Sequence, residues 1–176
     1  RGTRAIVLSG NGKTFCAGGD LKWMKAQIEA DRATRMREAR KLAEMLQALN
    51  EMPTPLIGRL HGGAFGGGAG LACVCDVAIA AAGTKFGFTE TRLGLIPATI
   101  GPYVLARMGE GRARQVFMSA RIFEAAEAER LGIVARVVVG TDHSSIDWQG
   151  VLDHSRLVVD TRNVANGRVA PHIVRL

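Results

Sequence analysis

The chain has 176 residues, 47% of them apolar and 22% charged, which is enough for one domain with its own core and too ordinary a mixture for a disordered or fibrous chain. No run of about 18 uncharged apolar residues occurs, which argues against a membrane-spanning helix, and residues 1–20 lack the charged-then-apolar order of a signal peptide. The net charge of +7 lies wholly within residues 1–140, because residues 141–176 hold four Asp and four Arg. Such an excess favours polyanionic partners, nucleic acid or a phosphate-bearing small molecule; a solvated helix face explains charges of this kind equally simply. Cys16, Cys73 and Cys75 are an odd number, and the last two stand as C-x-C in an apolar run. They read as small buried thiols rather than a zinc clip or a disulfide scaffold, so the expectation is a soluble, cytoplasmic protein.

In chain order, "RAIVLSG" reads as a buried strand closed by turn residues. So abrupt an opening suggests that residues once preceding it are absent, a truncated frame. The following "GNGKTFCAGGD" (10–20) contains "GKT", but a phosphate-cradling P-loop needs a glycine where Val7 stands. Asn11-Gly12 is a turn dipeptide and needs no function. Leu21 to Asn50 contains neither Gly nor Pro, and Leu42, Leu46 and Leu49 recur at helical spacing, so an amphipathic helix ends at "NEMPTP". "PLIGRL" is a second strand. "HGGAFGGGAG" (61–70) never places its glycines as G-x-G-x-x-G, which excludes a dinucleotide fingerprint; Gly66, Gly67 and Gly68 instead let a ligand approach the backbone at a helix mouth.

"LACVCDVAIAAA" reads as a buried helix end followed by a strand, "KFGF" as a strand, and "TETRLGLIPATIG" as a loop. Residues 102–108 and 112–119 are predicted helices; "FEAAEAERLG" is a helix stopped by Gly132, and "IVARVVV" is a strand. Strands alternating with helices give an α/β fold with a largely parallel sheet. Beyond Gly140 the character changes: residues 141–176 have no Glu or Lys but three of the four histidines.

The ordered set "FCAGGDL" (15–21), "GGAFGGGAGL" (62–71) and "FGFTETRLGLIP" (86–97) resembles the crotonase family, the enoyl-CoA hydratase and isomerase superfamily, over about residues 1–139. Within it, the "GLIPATI-PYVLARMGE" continuation at 94–110 is most similar to the 3-methylglutaconyl-CoA hydratases. The resemblance implies a crotonase-like ββα spiral core and an acyl-CoA thioester substrate, with no metal or redox cofactor and coenzyme A arriving on the substrate. It also implies a homotrimer or dimer of trimers. Ala17 and Gly67 would supply backbone N–H donors to the thioester oxygen, and Ala17, Gly18, Gly19, Asp20, Gly66 and Gly67 would form the substrate-binding loops.

Glu90 would be the catalytic acid/base, its carboxyl raised in pKa beside Phe86, Phe88 and Leu93. The second glutamate of two-glutamate hydratases would fall at Gly70, so a single-carboxylate isomerase is the alternative to a hydratase. Asp20 suits a helix cap as well as a direct role. Lys13, Lys22 and Lys25 are candidates for coenzyme A phosphates, Trp23 and Met24 for an acyl pocket or core packing, and His61 for a structural role. A non-catalytic basic nucleic-acid-binding module is the remaining class, against which stands the lack of an RNA-binding fingerprint or aromatic stacking platform.

Residues 137–176, with "TDH" and "VVDTRN", resemble the C-terminal domain of UDP-sugar dehydrogenases, so a 1–139 acyl-CoA-binding domain is expected to precede an atypical βαβ tail of separate origin over 140–176. No dehydrogenase site is complete here.

Overall fold

The structure is a computed structural model that describes residues 3–139, 158–160 and 173–175. Its plan is one repeated path: a strand in a large sheet, a strand in a small sheet, then helix. In the first turn, β1 (Ile6–Ser9) leads through the glycine loop to Cys16, which bridges the small sheet, and then to α1 (Leu21–Glu29) and α2 (Arg32–Asn50). In the second, β2 (Leu56–Leu60) leads to β3 (Gly63–Phe65) and α3 (Gly67–Val74). In the third, β4 (Val77–Ala81) leads to β5 (Lys85–Gly87), a 3₁₀ turn at Glu90–Leu93, α4 (Gly101–Met108) and α5 (Glu110–Ser119). β6 (Ile122–Glu124), α6 (Ala125–Leu131) and β7 (Arg136–Val139) follow.

The large sheet runs β1-β2-β4-β7 and continues in parallel through β8 (Val158–Asp160) and β9 (Ile173–Arg175). The small sheet runs β3-β5-β6, with β3 and β5 parallel and β6 antiparallel. Parallel pairing of successive turns is what a ββα spiral requires, since each return crosses through a helix. The core lies between the layers. Phe86 and Phe88, two residues apart, are buried on one side of the β5 segment, Phe86 stacking on Phe123 at 6.0 Å and Phe88 meeting Phe117 edge-on at 5.1 Å.

Several expectations are corrected. Residues 63–65 form a strand inside the glycine cluster, paired with β5 and with Cys16, and a Cβ on Gly63 would stand 2.5 Å from the Phe65 ring. Residues 122–124 are a strand rather than the start of a helix; they pair with β5, and tertiary pairing overrides the local helical composition. The "TETRL" stretch is a 3₁₀ turn rather than a loop, closed by Gly94 at φ +68°. The helix expected in the later part of the 21–50 stretch is α2, and the stretch before it forms a helix of its own, α1; the two part at Asp31, whose carboxylate caps α2 through the Thr34 N–H at 2.7 Å. The tail's "TDH" motif and its expected helix lie outside the described residues.

Candidate active site

Register places the candidate residues together. Cys16 pairs with Ala64, and Ala64 with Phe86, so Ala17, Gly67 and Glu90 follow closely on three neighbouring small-sheet positions, one from each turn of the spiral. Hydrogen bonds tie the three segments: Phe65 N–H donates to the Cys16 carbonyl at 3.0 Å, Cys16 N–H to Gly63 at 3.1 Å, and Gly66 N–H to the Gly87 carbonyl at 2.8 Å.

Glycine is required by this closeness. A Cβ on Gly68 would stand 2.6 Å from the Cys16 carbonyl oxygen, and one on Gly62 would overlap the Lys13 carbonyl. Gly66, at φ +52° and ψ −117°, turns the chain from β3 into α3 through a conformation open to glycine.

The result is a set of unspent donors. Among the described residues, neither the Ala17 N–H nor the Gly67 N–H has an acceptor, and Gly67 opens α3, whose first N–H groups lack intrahelical partners by construction. Glu90 faces the same turn: its Oε1 lies 3.0 Å from where a Gly66 Cβ would be. Its Oε2 is buried without a hydrogen-bond partner. Burial accordingly pushes the Glu90 carboxyl above the ordinary carboxylate range, against a smaller opposing effect of its own backbone N–H. A carboxylate of raised basicity beside free N–H donors can move a proton next to a developing oxyanion.

At the Gly70 position, a Cβ would lie 2.3 Å from Ile100 Cγ2 and 2.6 Å from Ile100 Cβ. Ile100 is 3% exposed, so the space for a second carboxylate is occupied by packed hydrocarbon.

The flanking residues divide by role. Asp20 caps α1, accepting from Trp23 N–H at 2.7 Å. Gly18, at φ +109°, lies over the Phe65 carbonyl, and Gly19 packs near the Met24 sulfur. His61 Nε2 shares a hydrogen bond with the Gly12 carbonyl at 2.9 Å, which fixes the first loop. Cys73 and Cys75 are buried free thiols, and burial pushes Cys75 up to about 11 although the Arg107 charge opposes it. Lys13, Lys22 and Lys25 are exposed. Among the arginines, Arg107 caps α3 through the Cys73 and Cys75 carbonyls, Arg114 faces Glu110 at 3.4 Å and Arg121 pairs with Glu127 at 2.7 Å.

Two concavities bear on the site. The larger, about 760 Å³, lies over the sheet face at Val7, Ile57, Arg59 and Ile79, and none of Ala17, Gly67 and Glu90 lines it. The other, about 640 Å³, lies between α1, α2 and the turn after Glu90. Leu21, Trp23, Met24 and Leu93 are among its walls, so Trp23 and Met24 face a cavity rather than the core. Its walls include Leu21, directly after Asp20 in sequence, and Leu93, three residues after Glu90, but Ala17, Gly67 and Glu90 do not line it either. Sequence patterning did not reveal Ile100, Gln27 or Leu95 as neighbours of the site; only the 3₁₀ turn and the α1–α2 break bring them there.

The Enoyl-CoA hydratase/isomerase family model matches residues 1–146. The chain belongs to this family. The match runs a few residues past the compositional boundary near Gly140. It is 41% identical over 142 residues to a Mycobacterium bovis protein named "Probable enoyl-CoA hydratase echA8", covering 78% of this chain and 52% of that one. Crystal structures of an enoyl-CoA hydratase from Shewanella pealeana (TM-score 0.74, 38% identity, 82% of this chain and 52% of that) and an enoyl-CoA hydratase/isomerase from Marinobacter aquaeolei (0.72, 39%, 85% and 56%) share the fold. The crotonase fold expected from the glycine loops is thus the fold found. The chain spans about half the length of the curated relatives it matches. Among the described residues no helix is long and apolar enough to cross a membrane.

Proposed function

We propose that the chain hydrates a 2-enoyl-CoA, with Ala17 and Gly67 N–H groups binding the thioester oxygen and Glu90 as acid/base. The observation that carries this reading is the half-buried Glu90 carboxylate, its Oε2 without a hydrogen-bond partner, beside donors that have no acceptor. Water adds at the β-carbon as Glu90 takes its proton; negative charge passes to the thioester oxygen as an enolate; the same proton then goes to the α-carbon. The N–H pair stabilises the enolate, an effect whose loss typically costs roughly 10²–10³ in rate. Coenzyme A enters with the substrate, held along Gly18, Gly19, Asp20 and Gly66.

The acyl group we assign is of the branched 3-methylglutaconyl type, supported by the 94–110 continuation. A homotrimer or dimer of trimers and a cytoplasmic setting belong to the same reading. The basic residues engaged within the fold favour it over a nucleic-acid module. Residues 140–176 are read as a tail of separate origin, in keeping with a family match that stops at residue 146.

One observation favours a second reading. Ile100 fills the place of a second carboxylate, and a single carboxylate suits an enoyl-CoA isomerase that carries one proton between two carbons. Loss of the conjugated thioester absorbance on 3-methylglutaconyl-CoA and crotonyl-CoA, measured beside Glu90→Gln, tests both. Turnover of these 2-enoyl thioesters that vanishes in the variant supports hydration; turnover confined to a 3-enoyl-CoA, with absorbance appearing, would overturn hydration in favour of isomerisation.

A further inference from the structure

The pocket between α1 and α2 combines apolar walls with a few polar ones. Leu21, Met24, Leu93 and Leu95 line it with Trp23, but so do Lys25, Gln27 and Arg35. No Asp or Glu lines it. Neither Lys25 nor Arg35 has an ion-pair partner among the described residues. The nearest acid along α2, Glu38, is already committed: Lys41 lies 2.8 Å from it and Arg37 3.8 Å. Gln27 Oε1 is buried with no hydrogen-bond partner. A buried amide oxygen without a partner is costly unless something arrives to satisfy it.

These groups together describe an anion reader. Rotation of the Gln27 amide presents either an acceptor or an NH₂ donor at the same buried point, and two cations without counter-ions stand beside it. Both cations are exposed, so alone they would hold an anion weakly through water; the buried amide supplies the directional contact. The apolar walls of the same pocket meanwhile accept hydrocarbon. We propose that Arg35, Lys25 and Gln27 select an acyl chain that ends in a carboxylate, making them specificity-determining residues of this pocket. The proposal rests on the acyl-CoA reading of the site and adds which residues of this chain read the distal end of the substrate.

The same cations could instead serve the phosphates of coenzyme A, and the experiment separates the two sources. Glutaryl-CoA and butyryl-CoA, saturated thioesters that cannot be hydrated, are titrated calorimetrically into the 176-residue protein, its Arg35→Leu and Gln27→Leu variants, and the same pair is repeated as pantetheine thioesters without phosphates of the nucleotide. The expected result is a preference for the glutaryl thioester of at least about tenfold, as a charge-assisted hydrogen bond gives, kept in the pantetheine series and collapsing toward one in both variants. Gln27→Leu should also tighten butyryl-CoA, because it replaces an unsatisfied amide by hydrocarbon.

Equal loss of both CoA thioesters in Arg35→Leu, with no preference in the pantetheine pair, would assign the cations to coenzyme A phosphates and overturn the proposal. Binding of neither thioester would overturn it as well. Because binding is read without chemistry, a glutaryl preference in a protein that turns over no enoyl-CoA would leave this proposal standing while the hydratase reading fell; turnover without any preference would do the reverse.

Discussion

Where residues 10–20 meet residues 62–70, backbone lies on backbone; where α1 and α2 face the turn after Glu90, side chains face an open pocket. In the first region a Cβ on Gly10, Gly62 or Gly68 would come within 2.7 Å of a neighbouring main-chain atom. In the second, Leu21 is 79% and Ile28 78% exposed, and α1 buries no residue. The chemistry-bearing groups of the first region are N–H donors that every residue but proline owns. Its sequence is therefore constrained by atoms that must be absent. The second region is defined by atoms that are present, and it can be exchanged without disturbing the frame. A fold divided in this way can hold one reaction fixed while its substrate changes.

The sharpest challenge to this contrast is made where the two regions join. Glu90→Gln keeps shape and volume, so turnover should fall about 10²–10⁴-fold while the fold stays intact by circular dichroism. Next, Gly68→Ala should lower kcat by roughly 10²–10³, the cost of losing one oxyanion donor, because its methyl group forces the loops apart at Cys16. Ala17→Ser, on an exposed residue whose N–H is unchanged, should leave kcat near that of the parent. Equal damage from both substitutions would mean that side chains matter in the first region after all, and the comparison would fail.

A smaller effect tests the packing at the position of the missing carboxylate. Gly70→Ala should destabilise by about 1–3 kcal/mol through overpacking against Ile100. Ile100→Ala opens a cavity by itself, yet the pair should be less destabilised than the two losses added, with a coupling of about 0.5–3 kcal/mol in a urea double-mutant cycle. Strict additivity would show that Gly70 has a different reason to be glycine.

Much of this was legible in the residues. The three ordered motifs named Ala17, Gly67 and Glu90, which register brings to neighbouring small-sheet positions, and Asp20 caps α1 because its side-chain oxygen stands three residues before a helix N–H that lacks an intrahelical partner. The small sheet was not legible. β3 is three residues of Gly, Ala and Phe, and β6 three residues before a helical run, lengths at which neither periodicity nor propensity speaks. Ile100 and Gln27 were hidden for another reason. Each lies within ordinary apolar or amphipathic composition, and only the crossing of one turn of the spiral over another gives it a role. Sequence could not show either that Arg107 turns inward to the Cys73 and Cys75 carbonyls.

The smallest expected effect concerns stability rather than rate. Burial raises the Glu90 carboxyl in the folded chain above its unfolded value. In the interval between those two values the folded state binds more protons than the unfolded one, so stability contributed by the protonated group is full below the unfolded value and is lost as pH rises through the folded one. Above the folded value the parent carries its carboxylate ionised in a place that disfavours that form, and Glu90→Gln does not. The variant should melt above the parent at pH 7, and the gap should close as pH drops below about 4, the unfolded carboxylate range. Scanning calorimetry at the two pH values reads this directly. A variant that melts below the parent at pH 7 would mean that Glu90 is held by a stabilising partner, and the unpartnered carboxylate on which the acid/base role rests would have to be given up. A higher melting point joined to lost turnover would locate the cost of that role in the fold itself, at the one side chain where the backbone-built and side-chain-built regions meet.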